Sequence, residues 1–436
     1  MRSRILKVER CVISVLLMIL AVALPINVAA EEPQTEDGTA DLMQVAAEGS
    51  QQVTAQGDTG AGSSGVEVSL VTCYPGSRNY ELYGHTMIRV KVADDDLLFN
   101  YGIFNFRAKG FIYRFVKGEC DYMLAAYPFS YLTQGYESRK IVEQKLNLTD
   151  EQKQKVLAYL WWNALPENAT YRYDWAYNNC ATKPRDIVEE AVGGSLRYGN
   201  PQEPNATFRT IMEYYDRNYP WQQFGIDLVL GYGLDHVLTY REQMFSPIKL
   251  MQAFAGATIE RDGKRVPLVS ETVNLVDGGD EGAVLAPTPW LFTPICVFLV
   301  IMIIVIMLTI REYKEKNRYK WLDSVVFGSY TLAGILVAFL TFVSTHYGTS
   351  PNVNILWVNP LAVIPAVGVW LKCCSKVLKV YHAANAAILL LLALCWWALP
   401  QVGNLAFLPL GAVSFIRSAS YLLAGAKDTA KILGKK

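Results

Sequence analysis

YRYDWAYNNCATKPRDIVEEAV, residues 171–192, runs from a turn-rich aromatic stretch into a helix that begins at a cysteine. Tyr171, Tyr173, Trp175 and Tyr177 alternate as residues of a strand do, and packing is their expected task. Cys180 sits at or near the N-terminus of the helix that follows. A helix N-terminus stabilises negative charge and lowers a thiol's pKa, which favours the nucleophilic thiolate. The free backbone N–H groups of the first turn can also stabilise an oxyanion, so nucleophile and oxyanion hole can come from one turn.

A nucleophile needs a base, and reading upstream supplies a candidate. VEVSLVTC (66–73) reads as a strand, and YPGSRNYELYG (74–84) as a turn-rich connection that ends beside Tyr83. HTMIRVKV (85–92) and LLFNYGIFNF (97–106), separated by ADDD, read as an antiparallel hairpin that opens with His85. The soluble part has two histidines, His85 and His236, and no spacing ties His236 to Cys180. A helix cysteine facing a sheet histidine is the papain-like arrangement, in which a polar group orients the imidazole. Pairing across ADDD puts Asn100 or Asn105 on the His85 face according to register, with Asn100 preferred. Downstream, residues 142–148 read as a strand before a helix that Thr149 and Gln152 cap reciprocally. The structural alternative is a buried or disulfide-bonded Cys180 and a His85 bonded only to backbone. Cys73 with Cys120 is one of three pairings open to the three soluble cysteines. No Cys/His cluster has metal spacing, so no metal is expected.

The other half of the chain reads as membrane. Of 436 residues, 52% are hydrophobic, and the mean hydropathy is positive; that is too apolar for an ordinary soluble protein. Lys plus Arg equals Asp plus Glu at 40 each, which leaves no basic field for nucleic acid. Apolar stretches at 290–310, 325–345, 354–371, 380–399 and 405–424 approach the ~20 residues a spanning helix needs. The third contains Pro360 and Pro365. REYKEKNRYK (311–320), KCCSKVLK (372–379) and the terminal KDTAKILGKK are basic, whereas THYGTSPNVN and PQVGN lack Lys and Arg. The basic segments are therefore cytoplasmic, and five spans place the soluble part outside. Polar suspects here are His346, Asn354 and Asn359 near the outer surface and Arg417 in the last span, which could snorkel to headgroups. The stretch 224–251, with Asp235 and His236, is expected near the membrane surface.

Arg2, Arg4, Lys7 and Arg10, then an apolar run and Val28-Ala29-Ala30, have the layout of a signal peptide cleaved after Ala30. Residues 31–65, poor in large apolar side chains, read as a flexible leader. The expected domains are thus 1–30, 31–65, an extracytoplasmic domain over 66–288 and a five-helix membrane domain over 289–436.

SLVTCYPGSRNYELYGHTMIRV, FNYGIFNF, LNLTDEQK and YRYDWAYNNCATKPRD resemble the lipoprotein N-acyltransferase family of Bacteroides-type bacteria, once described only as a domain of unknown function. The resemblance runs from about Glu67 to the C-terminus and includes NVNILWVNPL between the second and third spans. Its most specific parts are the GHT around His85 and the NNCAT around Cys180. It implies an α+β, circularly permuted papain-like periplasmic domain, with histidine before cysteine, followed by an all-α five-helix bundle in the bacterial inner membrane. It also implies that Cys180 takes a fatty acyl chain from a phospholipid as a thioester, with His85 as general base. The chain then passes to the N-terminal amine of a diacylglyceryl-cysteine lipoprotein. Arg185, in the cysteine's helix, Tyr83, His346 and Asn354 are the substrate-binding candidates, and Arg185 would meet a lipid phosphate. No cofactor is called for, and the oligomeric state is open. Two other classes compete: a membrane-anchored cysteine peptidase or amidase of the cell wall using the same pair, and a non-catalytic membrane scaffold.

Overall fold

A computed structural model describes residues 65–76, 81–104, 109–136, 139–201, 203–278 and 287–433, with backbone only at 133–135 and 425–433. The expected signal peptide, nearly all of the leader, and Asn105 lie outside the described residues. The described chain forms two compact units, residues 65–218 with 236–278, and residues 219–235 with 287–433.

The first unit is α+β. β1 (Glu67–Cys73), β2 (His85–Val92) and β3 (Asp95–Ile103) form a meander, then helix α1 (Phe111–Lys117) leads to β4 (Asp121–Pro128) and β5 (Ile141–Leu146). Helix α2 (Asp150–Ala164) begins with the Thr149–Gln152 capping box, both halves of which are formed. It is followed by β6 (Thr170–Arg172), α3 (Thr182–Val192) and α4 (Phe208–Asp216). Helix α5 (Pro220–Val229) belongs to the other unit, after which α6 (Pro247–Ala255), the hairpin β7 (Thr258–Arg261) with β8 (Lys264–Pro267), and β9 (Val269–Val276) complete the first. Seven strands pair antiparallel in the order β6-β4-β3-β2-β1-β5-β9.

Alternation decides what each sheet face meets. Val68, Leu70, Ile88, Val90, Phe99 and Tyr101 point to one side and pack with Val156, Leu160, Val188 and Phe254 of helices α2, α3 and α6. Val71, Cys73, Met87, Leu98 and Tyr127 point to the other and form a smaller core with Leu132 and Ile141. The strand reading of residues 171–177 is shortened, because the chain turns after Arg172. Asp174 Oδ1 accepts the N–H groups of Ala176 and Tyr177, and Asp174 pairs with Asn178, a local bond pattern that competes with a strand.

The second unit is helical. Helices α7 (Pro294–Glu315), α8 (Lys320–Phe342), α10 (Ser375–Leu394) and α11 (Phe407–Leu433) contain apolar stretches long enough to cross a membrane. The third expected span differs: two 3-10 turns, Val353–Leu356 and Pro360–Ala362, precede a six-residue helix α9 (Val363–Gly368). Pro360 has no N–H to donate to a helix, and it disfavours helical geometry at Asn359. The broken segment packs closely on α8, where a side chain at Gly334 would overlap the Asn359 backbone. Irregular backbone at membrane depth is tolerated where protein covers it.

Candidate functional site

His85 opens β2 opposite Cys73 of β1, and the β2–β3 register pairs Met87 with Asn100, which places Gly102 across from His85. His85 and Asn100 therefore share a face, and His85 Nε2 lies 2.7 Å from Asn100 Oδ1. An amide oxygen only accepts, so Nε2 carries the proton and Nδ1 is the basic nitrogen. Asn100 is held in turn: its Nδ2 donates to the Tyr127 hydroxyl at 2.9 Å, which donates to the Met87 sulfur at 3.4 Å.

Cys180 arrives on the turn that starts α3. Asn179 Oδ1 accepts the N–H groups of Ala181 and Thr182 at 2.8 and 2.9 Å, while the Thr182 hydroxyl accepts the Asn179 N–H. Asn179 Nδ2 fixes the turn to the carbonyls of Trp175 and Phe245. This capping rigidifies the residue next to Cys180. The cysteine and histidine meet over Gly102, which has a φ of +126° that side chains rarely adopt. A Cβ there would lie 3.4 Å from His85 Cε1 and 3.9 Å from Cys180 Cβ. Glycine at this position lets the two side chains close over the strand.

Burial dominates the electrostatics. It pushes the Cys180 thiol up to about 11, although N–H groups of Thr86 and of Cys180 itself, and the charge of Arg139, act in the opposite direction. It pushes His85 down to about 4, with the Asn100 bond opposing and Arg139 assisting. Burial thus favours a neutral thiol and a neutral imidazole, against the lowering expected of a helix N-terminus. Reaction then requires transfer of the thiol proton to His85 as the sulfur attacks.

Sequence reasoning missed three contributors. Tyr136 stacks on His85 with ring centroids 6.0 Å apart, and Arg139 lies over the Tyr136 ring at 5.0 Å. The buried Arg139 donates through Nε to the Tyr74 carbonyl, and one of its terminal nitrogens has no hydrogen-bond partner among the described residues. Both residues come from the connection before β5, whose polar stretch TQGYESRK (133–140) carries no motif and sets Arg139 apart in no way. Cys73 is the third, a thiol beside the pair, pushed by burial up to about 12. Cys73, Cys120 and Cys180 are all free thiols.

The other expected site residues are engaged in holding the fold. Arg185 is buried, bonded to Asp186 at 2.8 Å and to the Arg241 carbonyl at 2.9 Å. The Tyr83 hydroxyl donates to Asp216 at 2.8 Å. His236 lies 3.8 Å from Glu242 and edge-on to Phe208. In the membrane unit, Asn354 Nδ2 donates to the Asp227 and Leu228 carbonyls, and its Oδ1 accepts from the Trp357 indole. Asn359 Oδ1 accepts from the Leu361 N–H. The His346 carbonyl accepts from Thr349. Arg417 does not snorkel: it is fully buried against Glu312 and Asp323. Among the described residues, no group of three His, Cys, Asp or Glu side chains could hold a metal.

Two family models match the chain in succession, the Lnb N-terminal periplasmic domain over residues 60–214 and the Lnb transmembrane domain over residues 286–428. No curated protein and no solved structure matches it. Fold and matches together define a multi-pass membrane protein with a periplasmic α+β domain. Both models name one family and together span more than half of the chain. The chain belongs to the Lnb family, the lipoprotein N-acyltransferase family its motifs resemble.

Proposed function

We propose that this protein is a lipoprotein N-acyltransferase that works by a cysteine thioester. The observation that carries the reading is the set Cys180, His85 and Asn100, closed over Gly102 with the basic His85 nitrogen unoccupied by Asn100. In the first half-reaction the Cys180 sulfur attacks the ester carbonyl of a phospholipid while its proton passes to His85 Nδ1. The C–O bond of the ester breaks, the proton goes to the leaving oxygen, and a lysophospholipid departs from the thioester. In the second, the neutral N-terminal amine of a diacylglyceryl-cysteine lipoprotein attacks the thioester. His85 takes the amine proton and returns it to the Cys180 sulfur as the C–S bond breaks, leaving an amide and the free thiol.

The surroundings support this order of events. Burial favours the neutral thiol until substrate is present. Arg139, a cation whose field reaches both groups, favours the thiolate and disfavours the imidazolium. It therefore stabilises the sulfur as leaving group in the second step. The proposed location is the bacterial inner membrane, where both lipid substrates lie.

Incubating the full-length protein in detergent with phospholipid and a synthetic diacylated lipopeptide tests the reading by mass. Wild type is expected to add one fatty acyl group, and Cys180→Ala none. A folded wild-type protein that leaves the lipopeptide unchanged across varied donors, yet hydrolyses a cell-wall peptide, would overturn it in favour of an amidase.

A further inference from the structure

The membrane unit holds a cleft that the chemistry at Cys180 does not use. It has a volume of about 240 Å³ and lies between α10 and α11, lined by Leu389 and Ala393 of the first, Phe407, Gly411 and Phe415 of the second, and Trp396 just past α10, with Asn354, Trp357 and Gln401 at one end. That end is the outer one, because the connection from 395 to 406 lacks Lys and Arg while the loops at the opposite ends are basic.

Every polar side chain at the mouth is already engaged. Asn354 bonds the Asp227 and Leu228 carbonyls and the Trp357 indole. Gln401 accepts the Val353 N–H at 2.8 Å and donates to the Leu230 carbonyl and to Asn352. These bonds brace the cleft and offer nothing to a headgroup. The interior is aliphatic and aromatic, so its complement is hydrocarbon.

Size and direction narrow the occupant. The cleft is smaller than the roughly 300–1,000 Å³ of a drug-sized ligand site, too small for a whole lipid. The nine residues from Phe407 to Phe415, eight steps of ~1.5 Å rise, make it about 12 Å long. One leaflet of a bilayer with a ~30 Å core is about 15 Å deep. A cleft that starts at the outer face and runs the depth of one leaflet fits one fatty acyl chain standing in that leaflet. Gly411 keeps it open: a Cβ there would lie 3.5 Å from Leu389 Cδ2, an ordinary contact, and anything larger would enter the cleft.

We infer that the cleft between α10 and α11 binds one acyl chain of an outer-leaflet phospholipid. As a lipid site the cleft is independent of the proposed reaction.

The test uses the full chain in nanodiscs containing phosphatidylethanolamine with one diazirine-bearing acyl chain. After irradiation, labelled peptides are mapped by mass spectrometry. Label is expected to concentrate at least fivefold on cleft residues such as Leu389, Ala393 and Phe415 over the exposed α7 residues Ile303 and Met307. Gly411→Phe should remove the cleft label and leave the α7 label unchanged. Equal labelling of both surfaces in wild type overturns the inference, whether or not Gly411→Phe folds. So does cleft label that persists in folded Gly411→Phe, or that an equimolar unlabelled diacylated lipopeptide displaces completely. Cys180→Ala should label like wild type, so absent acyl transfer with intact label sinks only the reaction. Transfer without cleft label sinks only the site.

Discussion

The two units each bury an arginine, and they treat it oppositely. Arg417, on α11, is fully buried and fully engaged. Nε donates to Asp323 at 2.9 Å, one terminal nitrogen bonds Thr309 and Glu312 at 2.9 and 2.6 Å, and the other bonds Glu312 at 3.0 Å and Asp323 at 2.8 Å. Arg318 closes the set by pairing with Asp323 at 2.6 Å. Arg139 is nearly as buried, yet its carboxylate partner, Glu81, is 3.9 Å away and one terminal nitrogen is unpartnered among the described residues. A buried charge set whose every donor is met is a clamp, here joining α7, α8 and α11. A buried cation left partly unmet beside a thiol and an imidazole retains its field for them. Of these two arginines, the partly unmet one lies beside the reactive groups and the fully met one joins helices.

The largest effect that sharpens this contrast is on turnover. Cys180→Ser and His85→Ala should each lower acyl transfer by more than about a thousandfold, since members of a nucleophile–base unit fail together. Neither should lower the melting temperature by more than a few degrees, because neither side chain holds a buried charge pair. Turnover retained within tenfold in either variant would remove these residues from the mechanism.

The next largest is on stability. Arg417→Leu leaves Glu312 and Asp323 buried without their shared partner, a loss of about 3–5 kcal/mol. The expected readout is a large fall in detergent melting temperature, or no folded protein, with Arg417→Lys intermediate because one ammonium cannot reproduce the fork. A melting temperature unchanged by Arg417→Leu would mean that the network does not clamp the three helices. Turnover per folded molecule should change far less than stability, the reverse of the pattern at Cys180.

The same contrast explains what the sequence can convey. His85 at the start of a strand, Thr149 with Gln152 at a helix start, and Cys180 before a helix are local patterns, and each sits where its neighbours in the chain put it. Asn100 is reachable through hairpin register, a short-range property. Arg139, Tyr136 and the glycine requirement at Gly102 depend on strands far apart in sequence meeting at one point, and no local rule encodes that. Arg417 reads as a lone charge in an apolar span because its partners lie about a hundred residues earlier, two of them beside a loop that sequence marks only by its positive charge. The direction in which the Cys180 thiol moves is hidden for a related reason. A helix terminus is visible in sequence, whereas the depth of protein around it is not.

The smallest predicted effect separates the two arginines on chemistry alone. The Cys180 thiol lies at about 11 against an ordinary 9.0, so at pH 8 its iodoacetamide alkylation should be about a hundredfold slower than that of an exposed thiol. Arg139 holds both site groups lower than they would lie without its charge. Arg139→Met should therefore slow Cys180 alkylation further, on the order of tenfold for every pH unit by which the thiol's pKa rises, and Arg139→Lys should restore most of the rate. The acid side gives an independent reading. His85 lies at about 4 when folded and near 6.5 when unfolded, so the unfolded chain binds the extra proton between those values. Its contribution is present above pH 6.5 and is lost as pH falls toward 4. Arg139→Met raises the folded value, which narrows that window and makes the His85 contribution less sensitive to acid. An Arg139→Met protein with wild-type alkylation and an unchanged acid slope would show that its charge does not reach the site.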